Sequence, residues 1–494
     1  MKHGETTAPR AALGNATILT IGAAAETVLQ FLFLVIAGRQ LGPAEFGFYG
    51  YLLSIVTFAI AVAQFGLTVV GVRELAQRPQ EENAILAGIF RIRAALSMVM
   101  FAGAVAAAVL TPDSPAHRAA VWLTFAYLVA VPFDLSLLFD AKKLSRWDVP
   151  GRLAGRFVSL GLLALLWRIR GAVTVADVAL CSSLLMMVNV AVGWQIGRRQ
   201  SLPLHWLKKT TETWRLVRAS APVLWSNVMT IAYMQSPVIL LKWFSTADET
   251  GYFTLANRLM MPILVFRGVL YRVMLPLVSE AALDREKFTN RLEKLFPALA
   301  LVFMPSVAFA IPAAEVLVVP LFGPEYAGAV LPFQITVSVL FLTGMGALFG
   351  TSVLATGDAR TPTIGLTWGC IVGLGFAAVT VRHYGATGAA WATFVGELVS
   401  NAYVIPRFLK LSHPKILGRL LRIAASSVSG TAGYYVLKYA PPVPAAISLA
   451  LELVIIAAGL WIAGEITPSR LRAMRSLLQK PAEPASPVEE TASL

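Results

Sequence analysis

Runs of about 20 apolar residues, the length that crosses a bilayer, recur from near the N-terminus almost to residue 464, separated by short polar breaks. No soluble fold of 494 residues buries that much apolar surface: 57% of the residues are hydrophobic, 14% are charged and the mean hydropathy is +0.69. The chain is predicted to be an all-α, polytopic membrane protein with about fourteen transmembrane helices. The first run is too long for a signal peptide and continues into a second, so it reads as a retained anchor.

A net charge of +14 raises the question of nucleic acid, and the placement of the charges answers it. Arg73, Arg78, Lys142, Lys143, Arg146, Arg198, Arg199, Lys208 and Lys209 fall in alternate breaks, and the intervening breaks hold few cations. That asymmetry is a topology signal, which predicts cytoplasmic N- and C-termini in the cell inner (plasma) membrane and no nucleic-acid partner.

The breaks carry a grammar of their own. Gly42-Pro43-Ala44-Glu45 separates the first two runs, and Gly323-Pro324-Glu325-Tyr326 repeats the pattern later. Gly42 is expected to take a left-handed conformation that ends one helix, Pro43 to open the next, and Glu45 to face the positive helix start. An internal repeat runs deeper. Ala44-Glu45-Phe46-Gly47-Phe48-Tyr49 aligns with Asp248-Glu249-Thr250-Gly251-Tyr252-Phe253, and Arg170-Gly171-Ala172-Val173 with Tyr384-Gly385-Ala386-Thr387. Two six-helix lobes in parallel orientation are predicted, 1–197 and 216–410, joined by a cytoplasmic linker at 198–215. Two further helices follow over 411–467, then a proline-rich acidic tail at 468–494 read as disordered.

These residues resemble a family. Arg39-x-Leu41-Gly42-x-x-x-Phe46-Gly47, Phe65-Gly66-Leu67, Arg73-Glu74-Leu75-Ala76 and Gly251-Tyr252-Phe253-x-x-Ala256-x-Arg258 occur in order. Leu275-Pro276-x-x-Ser279, Leu321-Phe322-Gly323-x-Glu325-Tyr326, Leu354-Ala355-x-Gly357-Asp358 and Gly385-Ala386-x-Gly388-Ala389-Ala390 follow them. Together they resemble the polysaccharide-export flippases of the multidrug/oligosaccharidyl-lipid/polysaccharide transporter superfamily. The resemblance implies two lobes around a cavity that opens alternately to either side. It also implies a polyprenyl-diphosphate-linked oligosaccharide as substrate, moved from the cytoplasmic to the outer leaflet, with membrane lipids and polysaccharide assembly proteins as partners. Physical chemistry agrees with the class, because unpaired polar groups in hydrocarbon cost several kcal/mol each and a polar cavity removes that cost.

Charges inside apolar runs are the candidate site, since facing lipid costs about 2.5 to 3.5 kcal/mol apiece. Arg258, Arg267 and Arg272 lie along one helix, Arg258 and Arg272 about 21 Å apart on nearly one face. Such a ladder suits a moving diphosphate. Arg91 joins it as a candidate contact. Arg91, Arg93, Arg152 and Arg156 also lie near helix ends, where snorkelling is the simpler reading. Asn227 and Gln235 are candidates for sugar hydroxyls, against the alternative of bonds to neighbouring helices. Glu26 and Glu397 are candidate proton or cation sites, against the alternative of partners for arginines. Asp134 reads as structural, and Glu452 has no assignment. Prolines in three adjacent runs, Pro222 to Pro320, permit kinks.

Other chemistry is scarce in the sequence. The five histidines have no metal-ligand spacing, Cys181 and Cys370 are isolated, and no phosphate-binding glycine loop is present, so no metal, cofactor or catalytic residue is expected. Two rival classes stand beside the flippase. One is a cation-coupled drug or metabolite antiporter on the same fold, with Glu26 as its cation site. The other is a membrane polysaccharide polymerase or ligase, which wants a long external loop that this chain lacks.

Overall fold

The computed structural model describes residues 7–110, 114–200, 202, 212–282, 284–412, 415–439 and 444–467; at 7–17, 107, 110, 226, 261–273 and 275–276 it describes the backbone alone. In order the helices are α1 (Thr7–Gln64), α2 (Leu67–Gln77), α3 (Glu82–Leu110), α4 (Pro115–Ala130), α5 (Ser136–Ala141), α6 (Val149–Arg170) and α7 (Val175–Arg199). They continue as α8 (Glu212–Phe244), α9 (Ala247–Ala281), α10 (Arg285–Phe322), α11 (Val330–Ala355), α12 (Arg360–Leu411), α13 (Leu417–Tyr439) and α14 (Ala445–Ile462). The described residues contain no β-strand, as expected of an all-α membrane protein. Nine helices among them are long and apolar enough to cross a membrane, or ten if the bent pair in α8 is one span.

The glycine turns break the helices where the sequence asks, with two differences. Gly42 breaks α1 at φ 69°, ψ 172°, which is an extended positive-φ conformation open only to glycine, rather than the left-handed helical one. Nothing approaches its missing side chain, so the glycine is required by the backbone and not by space. Gly385 breaks α12 in the same manner at φ 50°, ψ −131°. The new helix that starts there has its Ala386 N–H bonded to the Glu249 carboxylate at 2.6 Å. An acidic residue at the start of α9 thus satisfies the start of the second half of α12. Glu45 is used differently from the expectation, since it pairs with His117 Nε2 at 3.0 Å.

By internal packing the chain forms two compact units. One comprises Met1–Arg258, Leu321–Ala329 and Ala378–Ala389, and the other Leu259–Pro320, Val330–Ala377 and Ala390–Leu494.

In the first unit, apolar packing joins Leu67, Ile85, Ile89, Leu137, Phe139 and Leu216, all buried. Glu74, within the Arg73-Glu74-Leu75-Ala76 motif, accepts from Arg78 at 2.5 Å and from Arg215 of α8 at 3.1 Å. Arg78 also meets Glu212 at 3.0 Å, so α2 holds the first turn of α8. Further along, α8 bends by 41° between Glu212–Trp225 and Asn227–Phe244, just beyond Pro222, where the proline leaves a backbone carbonyl unpaired.

In the second unit, Phe296, Phe349 and Phe408 pack with ring centroids 5.1 to 5.4 Å apart, Phe408 edge to face with each of the other two. Asn401 Nδ2 donates to Leu342 O at 3.0 Å. Arg419 and Arg422 of α13 grip Glu465 at 3.0 and 2.9 Å. The four prolines of α10 leave it one continuous helix.

Candidate functional site

The polar interior of the first unit is built on spacing. The start of α6 reads Val149-Pro150-Gly151-Arg152-Leu153-Ala154-Gly155-Arg156, in which glycine and arginine each recur after four residues and so fall on two adjacent faces. The glycine face lets α7 approach: a Cβ on Gly151 would meet Asn189 Oδ1 at 2.6 Å, and one on Gly155 would meet Leu185 O. The arginine face turns toward α1, which comes close because Gly22 packs on Val149.

Glu26 of α1 receives that face. Its carboxylate lies 3.6 Å from Arg156 Nε and 3.8 Å from Arg152 Nε. Gln30, one turn later, accepts from Arg156 Nη2 at 3.2 Å, and Asp148 lies 3.4 Å from Arg152. These ion-pair distances are longer than a hydrogen bond, and the Nε–H groups of Arg152 and Arg156 are buried donors without a hydrogen-bond partner among the described residues.

A third cation completes the group. Gly47 and Gly50 of α1 admit α9 at Gly251 and Thr254, and two turns below Gly251 the half-buried Arg258 has Tyr49 and Arg156 as its charge neighbours. Tyr49 Oη is 2.5 Å from Ser182 Oγ. Arg156 therefore meets Glu26 and Gln30 and has Arg258 as a further charge neighbour, and Arg152 stands between Glu26 and Asp148. Excess positive charge with unfilled N–H donors in an apolar bundle is the chemistry of an anion site.

The sequence candidates distribute unevenly over this picture. Arg258 is a charge neighbour of Arg156, and Glu26 is the counter-ion of Arg152 and Arg156. Arg267 and Arg272 lie on α9 with side chains outside the described residues. Arg91 is half-buried on α3. Gln235 is buried and accepts from Ser54 Oγ at 3.0 Å, which is a bond between α8 and α1, and Asn227 is exposed on α8. Glu397 is half-buried in the second unit.

Arg93 does not snorkel. It is 2% exposed, with Nη1 on Asp134 O at 3.3 Å and Nη2 on Thr68 Oγ1 at 3.4 Å. Asp134 caps Ser136, accepting from its N at 3.0 Å and its Oγ at 2.8 Å, the structural role read from its sequence. Arg152 and Arg156 are the functional candidates that reading by depth missed. The signal for them is the four-residue Gly-Arg repeat.

The polysaccharide biosynthesis protein family matches residues 12–282. A protein of Escherichia coli (strain K12) assigned as an O-antigen transporter is 21% identical over 337 residues, covering 67% of this chain and 79% of that protein. The succinoglycan biosynthesis transport protein ExoT of Rhizobium meliloti (strain 1021) is 24% identical over 435 residues, 80% of this chain and 82% of ExoT. Among solved structures, the lipid II flippase MurJ in an inward closed conformation superposes with a TM-score of 0.70 at 13% identity, covering 90% of this chain and 98% of MurJ. An inward-facing multidrug resistance transporter of the MATE family and MOP superfamily gives 0.61 at 15% identity, covering 78% and 95%. The fold is shared with these transporters, and the family match extends over more than half of the sequence, through every residue of the cationic cluster: this chain belongs to the polysaccharide biosynthesis protein family.

Proposed function

We propose that the protein is a flippase that carries a polyprenyl-diphosphate-linked oligosaccharide from the cytoplasmic to the outer leaflet of the inner membrane by alternating access. The observation that carries the reading is the pair Arg152 and Arg156 on Glu26, with Arg258 as the next charge beside Arg156 and buried Nε–H donors left over. A diphosphate is dianionic and rich in acceptors, and arginine binds it through a fork that also excludes water. The O-antigen and succinoglycan transport relatives support a lipid-linked saccharide, and the fold shared with MurJ supports admission of the head group from one side at a time.

The rest of the reading follows from topology and charge. Both termini are cytoplasmic, because the lysine and arginine asymmetry favours that orientation. The 1–197 and 216–410 halves with two added helices make fourteen crossings. Arg267 and Arg272 of α9 and Arg91 of α3 are further candidate contacts for the head group. Glu26 balances the arginines when the site is empty. Polysaccharide assembly proteins supply and receive the substrate, and the protein itself forms no covalent bond with it.

Cells that lack the protein test this reading. They are expected to accumulate lipid-linked oligosaccharide on the cytoplasmic side, recoverable by solvent extraction and identifiable by mass spectrometry. Normal levels and normal surface polysaccharide in such cells rule the reading out.

A further inference from the structure

Glu452 of α14 takes no part in the cationic cluster, and its surroundings are unlike those of any other carboxylate described above. It is 0% exposed, and among the described residues neither carboxyl oxygen has a hydrogen-bond partner. Ser448, one turn earlier on the same face, is 1% exposed and its hydroxyl is unpartnered as well. The helices meet closely here: a Cβ on Gly430 of α13 would lie 3.2 Å from Glu452 O, and one on Gly459 would lie 3.1 Å from Ser426 Cβ.

The side chain that faces the carboxyl is Thr431 of α13. Its Oγ1 donates to Ala308 O of α10 at 3.1 Å, with Ser427 O of its own helix at 3.4 Å. A threonine hydroxyl has one proton and two acceptor lone pairs, so with its proton engaged it can only accept from Glu452. The titratable groups facing the site are Tyr434 and Tyr435 of α13. The next charges, Glu315 of α10 and Lys438 of α13, are paired with each other at 2.5 Å. An ionised carboxylate in this place accepts and cannot donate, and among the described residues the hydroxyl within its reach, Thr431, directs its proton to Ala308 O instead. A neutral carboxylic acid has one O–H, and Thr431 has a lone pair to receive it.

We propose that Glu452 is a proton-binding site whose occupancy is read by the contact between α10 and α13 through Thr431. With the proton bound, Glu452 donates to Thr431 Oγ1 and Thr431 donates to Ala308 O, a chain of two hydrogen bonds from α14 through α13 to α10. When the proton leaves to water, the Thr431 hydroxyl turns its own proton to the carboxylate and the bond to Ala308 O is released. One proton is exchanged and no covalent bond of the chain changes. Ala308, Ser427, Thr431 and Tyr435 line a groove of about 660 Å³ between α10, α11, α12 and α13, so the protonation state is expressed on the wall of that groove. A proton, rather than a metal cation, is the ligand that fits a single carboxyl with two hydroxyls near it; among the described residues no group of three or more acidic, histidine or cysteine side chains gathers to hold a metal.

Infrared difference spectroscopy on the purified full-length protein in lipid nanodiscs, stepped through pH, tests the proposal without any transport assay and so stands apart from the flippase reading. The expected result is a carboxylic-acid C=O band that is absent in Glu452→Gln and converts to a carboxylate band as pH rises. Thr431→Val leaves Glu452 in place but removes its acceptor, so the same band is expected to change frequency and to titrate at a different pH. Identical bands in the wild-type and Glu452→Gln proteins at every pH overturn the proposal. So does a Glu452 band that responds to sodium at fixed pH, or a Thr431→Val protein whose band and titration match the wild type.

Discussion

Gly47 of α1 and Gly251 of α9 pack backbone against backbone: a Cβ on Gly47 would lie 2.6 Å from Gly251 N, and a Cβ on Gly251 would run into Pro43 O. The two glycines occupy equivalent positions in the internal repeat, so the sequence symmetry is realised as a direct contact. Neither clash can be relieved by a side-chain rotation, because the atoms met belong to the main chain. Gly251→Ala is therefore expected to cost at least about 1 to 3 kcal/mol, visible as a lower unfolding midpoint of the purified protein in detergent. An unchanged midpoint means that the helices are not held this closely.

Two arginines at similar positions along their helices are expected to fail in different ways. Arg93 is 2% exposed and bonded to Asp134 O and Thr68, so Arg93→Ala leaves buried acceptors unmatched, at about 1 to 3 kcal/mol each, and lowers the amount of folded protein. Arg258 has Tyr49 and Arg156 as its charge neighbours among the described residues. Arg258→Ala is expected to fold normally and to lose export, while Arg258→Lys, a point charge without the fork, retains part of it. Gel filtration of solubilised membranes and extraction of lipid-linked oligosaccharide from the same cells separate the two outcomes. A loss of folded protein in Arg258→Ala would assign that residue a structural role instead.

Export of a dianionic head group is expected to follow the membrane potential. An inside-negative potential favours outward movement by about 2.3 kcal/mol per charge per 100 mV, or about 4.6 kcal/mol for two charges. In vesicles at fixed pH and sodium, imposing such a potential with a potassium gradient and valinomycin should accelerate translocation, and reversing it should slow it. Indifference to the sign of the potential points to electroneutral coupling.

The turn before α12 gives a pH prediction outside the spans. Asp358 accepts from Thr361 N at 3.1 Å and Thr361 Oγ1 at 2.8 Å, and from Arg407 Nε at 3.1 Å. These bonds, those from Thr361 first, hold its carboxyl below the ordinary aspartate value of 3.8. A depressed value in the folded state means that the cap's contribution is fully present above the ordinary value and is lost as pH falls through the depressed one. Asp358→Asn is expected to weaken protection of the Thr361 amide at neutral pH and to make that protection insensitive to acid. Hydrogen exchange that is equal in both proteins at neutral pH contradicts the cap.

Much of this was legible in the sequence for physical reasons that can be named. Hydrocarbon admits only helices here, so apolar run length gave the fold class. Gly42 and Gly385 were legible as breaks because few other residues tolerate their backbone. Arg258 was legible because a charge two turns inside an apolar run must face protein. Arg152 and Arg156 were not, because depth along a helix says how far a side chain must reach to water and not which neighbour it meets. Their partner Glu26 lies more than a hundred positions away in sequence, and only the approach of α6 to α1 at Gly22 brings the two together. Glu452 was illegible for the same reason, since its lack of a donor depends on where Thr431 of the neighbouring helix directs its single proton.

The most direct test of the central claim is translocation in proteoliposomes that contain the purified protein and a polyprenyl-diphosphate-linked oligosaccharide, with the fraction reachable by a membrane-impermeant sugar-modifying enzyme followed over time. Wild-type protein is predicted to exchange the substrate between leaflets, and Arg258→Ala, at equal folded amount, to leave it where it began. Exchange no faster than in protein-free vesicles, or equal exchange by Arg258→Ala, contradicts the account.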